Sequence, residues 1–179
     1  MNKETSWQIA LNRILYFMIV FIGIFILLIP VSIFHNILMS PEIIFMITFI
    51  LIIRNPDYVP VWLIGIVFLL NDFLLTLPLG LNTFIALLTT EFLRRNRLFF
   101  IEMLFLTEWL CIAILLLAAN VMRKLLLIIT LSEHAPGFTV ITQVGLSILI
   151  YPILVVLVSF IFRIGKAQRN TLYSAKSIR

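Results

Sequence analysis

Residues 55–97 read NPDYVPVWLIGIVFLLNDFLLTLPLGLNTFIALLTTEFLRRNR. Asn55-Pro56-Asp57 is a turn signal. From Val59 to Leu77 the chain is apolar apart from Asn71, Asp72 and Thr76. Pro78-Leu79-Gly80 interrupts the run, because proline has no N–H to donate and clashes with the preceding turn. A second apolar run begins at Leu81 and ends at Leu93, immediately before Arg94-Arg95-Asn96-Arg97. Two apolar helical runs, a break between them and an arginine cluster at the close are the pattern of two membrane spans and a loop.

The rest of the chain has the same character. Of its 179 residues, 63% are apolar and 12% are charged, where a soluble domain is roughly half apolar and a quarter charged. Mean hydropathy is +1.18. Sixteen Phe exceed what a small soluble core needs, whereas in a bilayer they can face acyl chains. The net charge of +5 would point to nucleic acid in a soluble protein. Here the basic residues flank apolar runs, which points to topology instead. Cys111, the single cysteine, lies inside an apolar run and reads as a packing residue, so no intrachain disulfide is expected.

Spans need about 20 apolar residues, and six are expected: residues 14–34, 41–54, 59–77, 81–93, 98–122 and 138–162. The first is too long for a signal h-region and no small-x-small site follows it, so it reads as a retained span. The second is uncharged only over 43–53, and is therefore short, re-entrant or tilted under cover of its neighbours. Residues 125–131 are too few to cross and are expected to form an interfacial segment. With six spans, eleven of the 13 Lys and Arg fall on one side: Lys3, Arg13, Arg54, Arg94, Arg95, Arg97, Arg163, Lys166, Arg169, Lys176 and Arg179. Only Arg123 and Lys124 fall on the other. That asymmetry puts both termini in the cytoplasm. The expected fold is thus an all-α integral membrane protein, a six-transmembrane-helix bundle. Residues 1–165 form a single polytopic membrane domain and 166–179 a basic cytoplasmic tail.

Four acidic residues in the spans need examining. Glu91 and Glu102 lie near the arginine cluster and read as interfacial ion-pair partners. Asp72 is either a proton or ion site, or bonds Asn71 or backbone amides freed at Pro78-Leu79-Gly80, and the structural reading is preferred. Glu108, placed deep in the fifth span, is expected to be a protonated acid bonded across helices. Two polar stripes at helical spacing, Asn82-Ala86-Thr89-Thr90 and Gln143-Ser147-Tyr151, read as packing seams. The first span has no such stripe, and its face could meet lipid or a partner's helix. No catalytic constellation, phosphate loop or metal-ligand cluster is evident; His35 and His134 are isolated in expected outer loops. Neither an enzyme activity nor a cofactor or metal is expected.

The turn at Pro56-Asp57, the late Asp72 and, six residues on, Pro78-Leu79-Gly80, followed by a span ending in arginines, resemble the rod shape-determining protein MreD family of bacteria. The motif covers about a quarter of the chain, while the remainder agrees in hydropathy. Two positions depart from the pattern: Phe68 and Thr76-Leu77 stand where the family usually has or often has glycine. The resemblance implies a non-catalytic scaffold of the cell-wall elongation complex in the bacterial inner membrane. It would maintain rod shape and support peptidoglycan synthesis. The implied partners are MreC, RodA with its partner penicillin-binding transpeptidase, and MreB filaments. It also implies a fold similar to energy-coupling-factor transporter substrate-binding subunits. A vitamin-binding subunit of such a transporter is the alternative, although the first span carries no Ala-x3-Ala docking motif.

Overall fold

The computed structural model describes residues 6–28, 42–74, 78–129 and 137–162. Among them are seven α-helices and no strand: α1 (Ser6–Leu28), α2 (Ile43–Arg54), α3 (Val61–Leu74), α4 (Leu81–Arg95), α5 (Arg97–Glu102), α6 (Phe105–Ile129) and α7 (Gly137–Ile161). A 3-10 turn over Pro56–Tyr58 joins α2 to α3. Three helices, α1, α6 and α7, are long and apolar enough to cross a membrane. Their outer faces are apolar too: Trp7, Leu11, Ile14, Leu106, Ile114, Ile153 and Phe160 are all exposed. So broad an apolar surface is incompatible with water and natural in lipid.

The centre of the bundle is α2. Ten of its residues, Ile44 through Ile53, are buried, so it is apolar around its whole circumference. At about 1.5 Å per residue it spans roughly 18 Å, well short of the ~30 Å hydrocarbon core. The expectation of a short second helix covered by others therefore holds geometrically.

Side-chain contacts fix the helix directions. Arg13 of α1 donates to the Asp57 carbonyl at 2.9 Å, and Tyr16 bonds Thr48 at 2.9 Å, so α1 runs against α2. Thr48 gives its own proton to the Ile44 carbonyl at 2.7 Å, which leaves Tyr16 as the donor in that pair. Arg94 reaches the Val59 carbonyl, which aligns α4 with α2. Glu108 meets Arg54 while Arg123 meets Glu42, so α6 runs opposite to α2. In α7, Ser147 lies at Glu42 and the ring of Phe162, just beyond its end, stacks on Tyr58. Setting aside the short α5, the six longer described helices alternate in direction. The start of α1 and the end of α7 lie at the same end of the bundle as the arginines.

Several boundaries differ from those expected. Helix α1 begins at Ser6, so Arg13 is within it rather than ahead of it; residues 29–34 lie outside those described. The fifth span is not continuous from Leu98. It divides into α5 and α6 at Met103-Leu104, where Met103 is extended (φ −71°, ψ 151°). Residues 125–129 do not form a separate interfacial segment but continue α6. Their hydropathy alone hid this, because Arg123 and Lys124 interrupt the run; in the structure Arg123 has a partner inside the bundle. The expected outer turns with His35 and His134, and the tail from Arg163, lie outside the described residues.

Proline and glycine each shape one element. Pro152 sits inside α7, and its missing N–H frees the carbonyl four residues earlier, that of Ile148. The indole of Trp109 on α6 donates to that carbonyl at 2.9 Å. Gly80 has φ 86° and ψ −11°, the third position of a type II turn. That turn is closed by the Leu81 N–H on the Pro78 carbonyl at 3.1 Å.

A Cβ at Gly80 would meet nothing within 4 Å, so substitution there strains the backbone and does not create a clash. Gly80→Ala and Gly80→Leu should therefore each cost about 1–2 kcal/mol, with little difference between them, by equilibrium unfolding in mixed micelles. Trp109→Phe leaves the Ile148 carbonyl unpaired and should cost about 1–2 kcal/mol. In a Pro152→Ala background, where the helix supplies its own donor, most of that loss should disappear from the double-mutant cycle.

Candidate functional site

The residues singled out in the sequence fall at the two ends of the helical pair α3–α4. At the end away from the arginines, α3 delivers Asp72, fully buried, to the start of α4. Its Oδ2 accepts the Gly80 N–H at 3.1 Å, the Thr83 N–H at 3.1 Å and the Thr83 hydroxyl at 2.9 Å. A helix begins with N–H groups that lack partners and with a positive dipole end. Gly80 has no side chain with which to cap it. Asp72 supplies the missing acceptor from the preceding helix. Leu79 is exposed and Pro78 half-buried in the same turn.

Phe68 occupies one of the positions where the resembling family has glycine. It is fully buried and packs edge-on against Phe45 of α2 with centroids 4.6 Å apart. A ring contact thus takes the place of close backbone approach at this level. Thr76-Leu77 lie outside the described residues.

Pro56 and Asp57 are not part of that cluster. Helix α3, about 21 Å long at 1.5 Å per residue, separates them from Asp72. They belong to the arginine-rich end, where arginines bond backbone carbonyls. Arg97 donates to the carbonyls of Ile53 and Arg54 at 3.0 and 2.9 Å. Arg94 donates to Val59 at 2.7 Å, and Arg13 to Asp57. Burial draws the Arg97 pKa below its ordinary value, opposed by the charge of Asp57, and the guanidinium stays protonated. Arg95 is exposed and pairs with Glu91 at 3.0 Å, the surface pairing expected of Glu91. The side chain of Glu102 lies outside the described set.

Glu108 differs from expectation in depth, while the expected bonding across helices is present. It lies in the first turn of α6, not midway along a helix. Both its oxygens are 3.3 Å from Arg54 Nη2, and Tyr151 donates to Oε1 at 3.1 Å. The carboxyl group thus faces a guanidinium and is braced by a phenol. A second buried pair, which sequence reading missed, joins Arg123 to Glu42 at 2.6 Å. Arg123 also lies 5.6 Å from the centroid of the Phe45 ring, a cation–π contact. The backbone N–H of Glu42 bonds Ser147. Nothing in the spacing of residues 42, 54, 108 and 123 announces which charge meets which.

The stripes also divide. Asn82, Ala86, Thr89 and Thr90 are all buried, as a seam requires. The hydroxyls of Thr89 and Thr90 return to carbonyls of their own helix, however, and not across the interface. Ser147 and Tyr151 do reach other helices.

Glu108→Ala strands a largely buried guanidinium and should cost about 3–5 kcal/mol, whereas Arg54→Met with Glu108→Leu and Tyr151→Phe, which removes every member of the cluster, should fold at near wild-type stability. Unfolding titrations of the two variants in the same detergent check the contrast. Compared with known proteins, no family model matches the chain, no curated protein is significantly similar to it, and no solved structure matches its fold.

Proposed function

We propose that this chain is a non-catalytic membrane scaffold of the bacterial cell-wall elongation complex, of the MreD type. On this reading the chain threads the inner membrane six times, through α1, α3, α4, α6, α7 and the short α2 under cover of its neighbours, with both termini cytoplasmic. The bundle would share the architecture of energy-coupling-factor substrate-binding subunits. The alternating helix directions and the gathering of Arg13, Arg54, Arg94, Arg95 and Arg97 at one end support the topology.

The observation that carries the reading is the behaviour of residues 55–97. The stretch that prompted the resemblance holds the two ends of one helical pair: Asp72 reaches Gly80 across the break, and Arg94 near the end of α4 bonds the Val59 carbonyl just ahead of α3. Their role is structural, which suits a scaffold. Helix α1 offers an apolar face through Trp7, Leu11, Ile14, Met18 and Ile22, a surface that a single-span partner such as MreC could cover. RodA, its transpeptidase and MreB would be reached through the same assembly. The second reading, a vitamin-binding transporter subunit, draws on the buried polar groups Glu42, Asn120 and Ser147 away from the arginine end.

A photo-reactive residue at Met18 or Ile22 should cross-link to MreC in cells, and depletion of the protein should turn rods into spheres. A carboxyl-terminal reporter active in the periplasm would overturn the topology. Absence of the cross-link together with tight co-purification of a small vitamin would favour the transporter.

A further inference from the structure

The Asp72 carboxylate uses its two oxygens unequally. Oδ2 carries three hydrogen bonds, while Oδ1 is buried and has no partner. The chain neighbours of the residues in this contact repeat the pattern. Asn71 precedes Asp72 on α3, and Asn82 precedes Thr83 on α4. Their side-chain oxygens are likewise buried without a hydrogen-bond partner, and the residues are 7% and 4% exposed. Three unmatched acceptors thus accompany one junction between helix ends, where an acceptor left unsatisfied costs free energy.

A hydrogen-bond donor or a cation would satisfy them, and the charge of the buried carboxylate favours the cation. Among the described residues no lysine or arginine pairs with Asp72; the ion pairs are Arg54–Glu108, Arg95–Glu91 and Arg123–Glu42. The three unmatched atoms are all oxygens, the donor set of hard cations. Only one carries a formal charge, and that charge already faces the positive end of α4. A divalent ion would be under-neutralised, whereas a monovalent ion is matched.

We propose that the α3–α4 junction binds a monovalent metal cation of the sodium class through Asp72 Oδ1 and the side-chain oxygens of Asn71 and Asn82. Oδ2 caps α4 and Oδ1 holds the ion, so one carboxylate ties helix start and cation together. The ion then stabilises the turn at Pro78-Leu79-Gly80. The proposal is independent of the scaffold reading.

The test uses the full chain purified in detergent. Its melting midpoint is measured in sodium chloride and in choline chloride at equal ionic strength, and uptake of radioactive sodium by equilibrium dialysis. Sodium should raise the midpoint by at least about 3 °C in a saturable manner, with uptake near one ion per chain. Asn82→Leu or Asn71→Leu should abolish both effects, while Asp57→Asn, at the opposite end of α3, should preserve them. Equal midpoints in the two salts, or absence of saturable uptake by the wild-type chain, would overturn the proposal, as would uptake unchanged in a variant that folds. Should either leucine variant fail to fold, the wild-type uptake and the salt comparison decide.

Discussion

The C-terminal carbonyls of α2 end inside the protein, and satisfying them organises one whole end of the bundle. A helix always closes with carbonyls that have no partner within it. In water this costs little, but in a bilayer each such group must be answered by the protein itself. Arg97 answers two of them, those of Ile53 and Arg54. Arg94 and Arg13 bond the carbonyls of Val59 and Asp57 in the turn that follows. Guanidinium groups suit this work because they carry several donors in a fixed fork and complement the negative end of the helix dipole. Arg97 is therefore the cap of the buried central helix, and Arg94 and Arg13 hold the turn that follows it.

The same demand explains the opposite end. There α4 begins with free N–H groups, and a carboxylate from the end of α3 meets them. The two ends are complementary: cations at carbonyls, an anion at N–H groups. Between them the helices are held by packing, because lipid is as apolar as their side chains and gives no hydrophobic drive to association. Phe45, Phe68 and the uniformly apolar α2 provide that packing. The buried pairs Arg54–Glu108 and Arg123–Glu42 cross-link α2 to α6 near either end of α2. Such pairs add little net stability over apolar replacements, but breaking one is costly, so they favour a single register.

A frame built this way has its polar groups committed to holding helices in place, and its broad apolar exterior is available to other membrane segments. That division of labour suits the scaffold role proposed above. It also leaves the few uncommitted polar atoms, those around Asp72 above all, as the places where an additional ligand would have an effect.

The sequence by itself determined that the chain lives in lipid, that its helices break at Pro78-Leu79-Gly80, that α2 is short, and that Arg13, Arg54, Arg94, Arg95 and Arg97 gather at one end. These are local or compositional facts: apolar runs, a proline, a glycine able to take positive φ, and charge placed beside each run. A bond from Asp72 to backbone amides at the break was legible for the same reason as one of the alternatives, since Gly80 lies eight residues away. Only the tertiary structure decided that Glu108 meets Arg54 and Tyr151, that Arg123 meets Glu42 across 81 residues of chain, and that Trp109 fills the carbonyl freed by Pro152. It alone divided the fifth run at Met103 and carried α6 on to Ile129. Hydropathy treats every charge as a boundary, but a charge with a partner inside the bundle is not one, and which helix supplies the partner depends on how all of them pack.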